Sequence, residues 1–272
     1  MEQSTQRVSV RGVGLAASVP KPVILDAARN TRKNNFHSFW LNNPPQADAL
    51  RLLEEVAGQT PGLWLGVGVI PLTHHSGDEI AAEIEKRKLP LETFFLGIGA
   101  GSGPGGVERV AKGIETIRSR VPCQIVVAAL GPKMSRLAGA EADGVLFNWL
   151  TPTWAEGSIR WVREGAEQVG RPVPRLMAYV RVALGDGAIA RLEEEAGRYQ
   201  SMPHYSSHFA RMGVSAMGTA VTGRSREEIQ RGLAQWNGVV DEVVSRAITE
   251  HDNSEELAQL IEACRPDSGQ YG

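Results

Sequence analysis

The sequence predicts a (β/α)8 barrel, in which parallel strands alternate with surrounding helices. Apolar segments typical of buried strands alternate with helical patterns eight times within about 250 residues, which is the count for this fold. The 272-residue chain has no linker rich in Pro, Gly and Ser. We therefore expect a single domain over residues 1–265, followed by a flexible tail over residues 266–272. The alternative architecture is a doubly wound sheet, which uses fewer strands.

The predicted strands are short apolar segments at residues 8–17, 36–42, 63–70, 93–98, 124–130, 144–150, 175–184 and 215–221. Helical periodicity fills the intervals, as in the shared face of Leu50, Leu53 and Val56. Three helix starts have capping-box spacing, in the pairs Ser76 with Glu79, Thr153 with Glu156, and Ser225 with Glu228. Each pair follows a predicted strand within a few residues, as expected of a βα loop.

Composition excludes several classes of protein. The formal net charge is -2 and the basic residues are scattered, so nothing favours nucleic-acid binding. No apolar run approaches the roughly 20 residues that span a bilayer, and residues 1–6 lack the apolar core of a secretory signal. Cys123 and Cys264 are far apart and outside any metal-binding spacing. We expect reduced thiols in a cytoplasmic protein.

Residues 128–152 contain the most informative local pattern. A buried strand ends at Leu130 and breaks at Gly131, and Pro132 then suits the first turn of a helix. A short helix leads back into a strand at residue 144. Because the first N–H groups of a helix have no intrahelical acceptor, this turn predicts an anion pocket suited to a cofactor phosphate.

The predicted strand ends are rich in glycine and poor in ionisable groups. Residues 97–106 include the spacing G-x-G-x-x-G, but the next strand ends in Ala128, Ala129 and Leu130 rather than in an acidic residue. This disfavours a dinucleotide fold and favours a loop that lets a ring or phosphate approach the backbone. Neither a nucleophile–base pair nor paired carboxylates occur at the strand ends, which disfavours hydrolase chemistry.

Three further patterns each allow two interpretations. Gly66 and Gly68 interrupt an apolar strand, which indicates either close ligand approach or packing against a bulky neighbour. Asn43 follows the second strand, either as a turn residue or beside a ligand. His204 and His208 have the spacing of a helical metal pair, but no third ligand accompanies them. We expect no metal site there and favour a polar lid over the barrel.

Seven segments together resemble a known family: AALGPKM (128–134), LAG (137–139), ADG (142–144), NWLTP (148–152), GVGVIPL (66–72), YVRVALG (179–185) and FARMG (209–213). The chain resembles the luciferase-like flavin and deazaflavin oxidoreductases. It is most similar to their short actinobacterial branch of coenzyme F420-dependent oxidoreductases. The likeness extends over nearly the whole chain.

The resemblance implies a barrel that holds a deazaflavin, coenzyme F420, or alternatively FMN, with its ring over the barrel mouth. It implies a non-prolyl cis peptide near Gly68 and Val69 behind the ring. The phosphate would lie at Leu130 and Gly131, beside Ala100, Gly101 and Ser102. Candidates for catalysis are Trp40, Asn43 and His74, and candidates for substrate contact are Asn148, Arg181 and His204.

The chain also departs from the family pattern. Sugar-phosphate dehydrogenases of this superfamily have an Asp-His pair where this chain has Asn43 and Pro44, and a glutamate where it has Ser102. Neither an amide nor a hydroxyl is a competent general acid or base near neutral pH, which disfavours that mechanism. The insertion that follows the seventh strand of larger members is curtailed here.

These features predict an enzyme that transfers a hydride between coenzyme F420 and a small organic substrate. The alternatives are an FMN-dependent monooxygenase served by a separate reductase, and a non-catalytic flavin- or deazaflavin-binding protein. The expected partners are a small-molecule substrate, a second copy of the chain and, for the monooxygenase, the reductase.

Overall fold

The computed structural model describes residues 9–266, which form a closed barrel of eight parallel strands surrounded by helices. The strands are β1 Val10–Ala16, β2 Ser38–Asn42, β3 Trp64–Pro71, β4 Phe94–Gly99, β5 Gln124–Ala129, β6 Gly144–Asn148, β7 Arg175–Leu184, β8 Val221–Gly223 and β9 Glu242–Ile248. Neighbours around the barrel follow the order β1 to β7 and then β9, which pairs with β1 and closes the sheet. The predicted barrel is confirmed. Of the tail expected over residues 266–272, residues 267–272 lie outside the described residues.

The helices cover the outside of the barrel and extend one edge of its mouth. They are α1 Lys21–Lys33, α2 Ala49–Gln59, α3 Gly77–Glu85, α4 Gly106–Arg118, α5 Pro132–Glu141, α6 Pro152–Gln168, α7 Asp186–Ser201, α8 Pro203–Met212, α9 Arg226–Ala234 and α10 Ser254–Cys264. The insertion after β7 consists of α7, α8 and the short strand β8. β8 pairs with residues 182–184 of β7, beyond the segment of β7 that pairs with β6.

The predicted eighth strand was wrong. Within residues 215–221, Met217–Thr219 form a 3-10 turn, and the adjoining β8 pairs with the end of β7 only. The eighth barrel strand is β9, which lies between β7 and β1. The sequence of β9 does not show the apolar pattern of a buried strand, because two charged residues, Glu242 and Arg246, face inward among the apolar ones. Glu242 is fully buried, and Arg175 of β7 donates to it at 2.9 and 3.1 Å.

The barrel interior is packed by aromatic side chains set against glycines. Trp40 is fully buried, stacks on Phe95 with ring centroids 5.4 Å apart, and donates from Nε1 to Ser38 Oγ at 2.7 Å. A Cβ on Gly66 would lie 2.3 Å from the Trp40 ring. Gly66 is therefore required for packing against a bulky neighbour, which is the second of the two interpretations given for this strand.

The helix starts follow the sequence pattern with one shift. Ser76 and Glu79 form a complete capping box, and Ser225 accepts from the Glu228 amide. The pair Thr153 and Glu156 was placed two residues late: α6 is capped by Thr151, which accepts from Trp154 N at 3.2 Å.

No helix within residues 9–266 combines the length and apolar character needed to cross a membrane. Cys123 and Cys264 are both buried free thiols, and burial raises the pKa of each to about 12.

Candidate functional site

The carboxyl ends of the eight strands form a mouth with two unlike halves. Along β3, β4 and β5 the inward-facing positions near the mouth are occupied by small residues: Gly68, Gly97, Gly99 and Ala128. Along β2, β6, β7 and β9 they carry polar side chains: Asn42, Asn148, Arg181 and Arg246. The first half suits a flat ring against the backbone, and the second offers hydrogen-bond donors and positive charge.

The first half is shaped by an irregularity in β3. The peptide bond between Gly68 and Val69 is cis, at the position that the resemblance implied. The register between β3 and β4 shifts there, between Val67 and Ile70. The half-buried Val69 side chain turns towards β4, where a Cβ on Gly99 would lie 3.0 Å from Val69 Cγ2. The bulge thus presents a small apolar surface at the mouth.

The loop between β4 and α4 is built on glycines with left-handed backbone. Gly101, Gly103 and Gly105 have φ of 70°, 86° and 71°. At Gly101 a side chain is also excluded sterically, because a Cβ would lie 2.0 Å from Thr73 Oγ1. Arg109 of α4 stabilises the loop by donating to the carbonyls of Ala100 and Pro104 at 2.8 and 2.7 Å. The loop therefore presents backbone to the solvent and carries a cation beside it.

The predicted anion pocket lies at the start of α5. Gly131 has extended backbone, with φ of -150°, and precedes Pro132 as the N-cap residue of α5. A Cβ on Gly131 would meet no atom within 4 Å. The protein's own packing therefore does not require a glycine here, and the space in front of it is open to a ligand. The first-turn N–H groups of α5 and the positive end of its dipole favour an anion.

The polar half centres on Arg181 of β7, which is almost completely buried. Its Nε donates to Glu195 of α7 at 3.1 Å, and its Nη1 donates to the Asn148 side chain. Burial raises the pKa of Glu195, but the positive charges of Arg181 and Arg246 outweigh it and leave this pKa below its usual value. The structure thus brings together two predicted substrate residues, Arg181 and Asn148.

Below Arg181, Tyr179 forms part of the floor of the mouth. Its hydroxyl donates to Asn42 Oδ1 at 2.5 Å. Complete burial raises the pKa of Tyr179 to about 12, so the phenol is neutral near pH 7. A Cβ on Gly14 would lie 2.5 Å from this hydroxyl, which explains why β1 carries a glycine there.

Aromatic rings of α7 and α8 line the mouth beside Arg181. Trp149, which follows β6, lies 4.8 Å from Tyr199 and 5.9 Å from Phe209 between ring centroids. Tyr205 lies 4.8 Å from Tyr199. Burial raises the pKa of Tyr205 to about 12, against the opposing effect of Arg181 and a hydrogen bond with Asn148. The helix expected to act as a lid therefore packs against the residues that follow β6.

Four predicted residues lie apart from this arrangement. Trp40 is enclosed in the barrel interior, so its placement is that of a core residue rather than of one that meets substrate. Asn43 accepts from Ala49 N at 3.1 Å, which is a turn contact, and lines a cavity of about 410 Å³ between α2 and α3. His74 lies in the turn after β3, and His204 lies on α8; both are exposed.

Three functional candidates were missed from the sequence: Tyr179, Glu195 and Arg246. Tyr179 and Arg246 occupy inward positions of β7 and β9, but β9 itself was not predicted. Glu195 is one of three consecutive glutamates in α7, and nothing local distinguishes it from its neighbours. Only the packing of α7 on the barrel selects it.

The histidines of α8 do not converge. His204 is exposed, whereas His208 is buried with Nε2 2.8 Å from the Trp149 carbonyl oxygen. Within residues 9–266, no group of three or more His, Cys, Asp or Glu side chains could hold a metal ion.

Solved structures with the same fold cover almost the whole chain. An F420-dependent secondary alcohol dehydrogenase in complex with an F420–acetone adduct matches with a TM-score of 0.75 and 14% identity, over 95% of this chain and 100% of that one. The coenzyme F420-dependent tetrahydromethanopterin reductase of Methanopyrus kandleri matches with a TM-score of 0.72 and 15% identity, over 96% and 100%. An EDTA monooxygenase from Chelativorans sp. BNC1 matches with a TM-score of 0.67 and 12% identity, over 98% and 96%.

A family model described as luciferase-like monooxygenase matches residues 98–269, more than half of the chain. This segment includes the glycine loop after β4, the turn at Gly131 and the whole polar half of the mouth except Asn42. The chain belongs to the luciferase-like monooxygenase family.

Proposed function

We propose that this protein is an oxidoreductase that uses coenzyme F420 to transfer a hydride to or from a small organic substrate. The observation that carries the proposal is the mouth itself. A cis peptide bulge, a glycine loop and an open helix start lie on one side, and polar side chains lie on the other. The TM-scores of the two F420-dependent enzymes, 0.75 and 0.72 against 0.67 for the EDTA monooxygenase, are the reason for proposing the deazaflavin before FMN.

The residues present fit such a cofactor. Gly68 and Val69 would lie behind the ring, where Val69 offers an apolar surface. Leu130 and Gly131 would hold the phosphate at the start of α5, beside Ala100, Gly101 and Ser102. The open space in front of Gly131 supports this assignment, because a side chain there would occupy the position of the anion.

The bound cofactor would supply the redox chemistry, and the protein would supply position, exclusion of water and electrostatics. Val69 and the aromatic residues of α7 and α8 would keep the mouth poor in water. Tyr179 is neutral and donates its only hydroxyl hydrogen to Asn42, so its oxygen can accept one further hydrogen bond at the floor. Arg181 and Asn148 would orient the substrate. Asn43, His74 and His204 lie further from this centre and are secondary candidates for proton delivery or substrate contact.

The proposal is tested by titrating the purified protein with oxidised coenzyme F420 and, separately, with oxidised and reduced FMN. Binding is followed by quenching of cofactor fluorescence or by calorimetry. We expect micromolar affinity for the deazaflavin and weaker binding of FMN. Reduced protein–cofactor mixtures are then given a panel of carbonyl and enoyl compounds, and hydride transfer is read as reoxidation without oxygen.

The alternatives give different results. Tight binding of reduced FMN together with oxygen consumption and a hydroxylated product would identify a monooxygenase that needs a separate reductase. Saturable cofactor binding without turnover of any acceptor would identify a binding protein. Failure to bind deazaflavin at micromolar concentrations would overturn the proposal.

A further inference from the structure

The polar half of the mouth contains more positive charge than the protein neutralises. Three arginines face the inside of the barrel: Arg175, Arg181 and Arg246. Arg175 is paired with Glu242, and Arg181 with Glu195. Within residues 9–266, Arg246 has no carboxylate within ion-pair distance. Among these residues its guanidinium makes one hydrogen bond, from Nη1 to the carbonyl of the adjacent Ala247.

The position of Arg246 makes this unpaired charge relevant to a ligand. Its Cα is in register with Arg181 on one side and with Gly14 on the other, so it lies at the level of the mouth. β9 and β4 are opposite each other around the eight strands. Arg246 therefore lies across the mouth from the glycine half, on the side left for a substrate. It is half-buried, so water compensates its charge only in part.

A second donor lies two strands away from Arg246, on β2. Asn42 Oδ1 accepts a hydrogen bond from the Tyr179 hydroxyl, whereas Asn42 Nδ2 donates to no other described residue. Asn42 is half-buried, at the top of the adjoining pair β1 and β2. The Asn42 N–H₂ and the guanidinium N–H groups of Arg246 that do not reach Ala247 remain available as donors, and together they match the oxygens of a carboxylate.

The charge balance selects the class of anion. In the polar half of the mouth, Arg181 and Arg246 contribute two positive charges and Glu195 one negative charge, which leaves this half with a net charge of +1. A monoanion neutralises this excess, whereas a dianionic phosphate would leave an uncompensated negative charge in a partly buried site. The planar fork of arginine also matches a carboxylate in geometry.

We propose that Arg246 binds the carboxylate of an organic acid substrate at the barrel mouth. The inference rests on the proposed function, because it assigns the substrate class of the same site. Asn42 contributes a second hydrogen bond, and the pair of Arg181 and Glu195 fixes the wall beside it. The acid would lie between Arg246 and the ring-binding half.

The test compares matched charged and neutral probes. Benzoate and butyrate, with benzamide and butyramide as their neutral counterparts, are titrated by calorimetry into wild-type protein, with and without saturating coenzyme F420. We expect at least one acid to bind about tenfold more tightly than its amide. Arg246→Met should remove this preference, and Arg246→Lys should retain part of it. Arg224→Gln removes an equal charge from a surface pair with Asp186 and should leave the preference unchanged.

Several results would overturn the inference. These are failure of both acids to bind at millimolar concentrations, equal binding of acid and amide, retention of the preference in Arg246→Met, or tighter binding of inorganic phosphate than of either acid. A second experiment tests whether Arg246 instead faces negative charge on the reduced cofactor. If Arg246→Met changes the ratio of affinities for reduced and oxidised F420 and leaves carboxylate binding intact, the residue serves the ring and not the substrate.

The two proposals fail separately. Circular dichroism and the thermal midpoint establish that each variant is folded before its binding is compared. Deazaflavin binding without carboxylate binding would leave the proposed function in place and remove this inference. Carboxylate binding without deazaflavin binding would leave the carboxylate site in place and remove the proposed cofactor.

Discussion

The guanidinium of Arg181 lies over the indole of Trp149, with its central carbon 3.7 Å from the ring centroid. It is held there by Glu195 of α7 and Asn148 of β6, so one side chain joins the barrel to the inserted helices. The Arg181 side chain is 3% exposed and that of Glu195 is 18% exposed. The arrangement of side chains in the polar half of the mouth therefore depends on the contacts of Arg181.

Removal of Arg181 alone should therefore be costly. Arg181→Met leaves the partly buried Glu195 without its ion-pair partner and should lower the free energy of unfolding by about 3 kcal/mol. The double variant Arg181→Met/Glu195→Gln should recover part of this loss, because no uncompensated charge remains. Urea unfolding of the two single variants and the double variant provides the measurement. Additive losses would show that the pair is not coupled.

Stability should fall as the pH is lowered below about 6.5, partly because of His208. Burial lowers the pKa of His208 despite its hydrogen bond to the Trp149 carbonyl. Since the unfolded chain has the ordinary pKa, it takes up a proton in a pH range where the folded protein does not, and acid favours unfolding. Burial also lowers the pKa of His37, which adds to the loss of stability in acid.

This pH effect is measured as the free energy of unfolding in urea at pH 8 and at pH 5.5. His208→Gln should reduce the difference between the two values, whereas wild-type protein should show it in full. His204→Gln, four residues earlier on the exposed face of α8, is the control and should match wild type. An unchanged difference in His208→Gln would contradict the assignment.

Gly131 provides a direct test of the phosphate position. Because a Cβ there points into open space, Gly131→Asp should fold normally and place a negative charge at the start of α5. We expect binding of coenzyme F420 and of FMN to weaken by about tenfold or more through charge repulsion. Riboflavin, which lacks the phosphate, should be unaffected wherever it binds at all.

The matched control is Gly157→Asp, which adds the same charge on α6 at another position where a Cβ meets no atom. It should leave the affinity for all three cofactors unchanged. Equal weakening by both substitutions, or by neither, would place the phosphate elsewhere.

The packing of Trp40 against Gly66 sets a fourth prediction. Gly66→Ala places a methyl group 2.3 Å from a fully buried ring and should destabilise the fold by about 2–3 kcal/mol. Gly66→Ala/Trp40→Phe should recover part of the loss, because the smaller ring leaves room. Gly58→Ala, on α2 where a Cβ meets no atom, should instead stabilise by about 0.5–1 kcal/mol. Thermal unfolding measures all three.

Much of the glycine half of the mouth could be predicted from the sequence. The break at Gly131 and Pro132 and the glycine loop after β4 are local features, in which one or two residues fix the backbone. The cis peptide at Gly68 and Val69 was implied by the family resemblance and lies at that bond. The predictions for Asn43 and Trp40 rest on their position near a strand end, whereas packing against neighbouring segments decides where their side chains lie.

The sequence by itself determined the alternation of strands and helices, the first seven barrel strands and the turn at the start of α5, because each depends on residues close together in the chain. Only the tertiary structure decided the closing strand, the choice of Glu195 among three glutamates, and the isolation of Arg246. These depend on contacts between distant segments, in which one charged side chain is buried beside another. Periodicity along the chain carries no information about which charges meet.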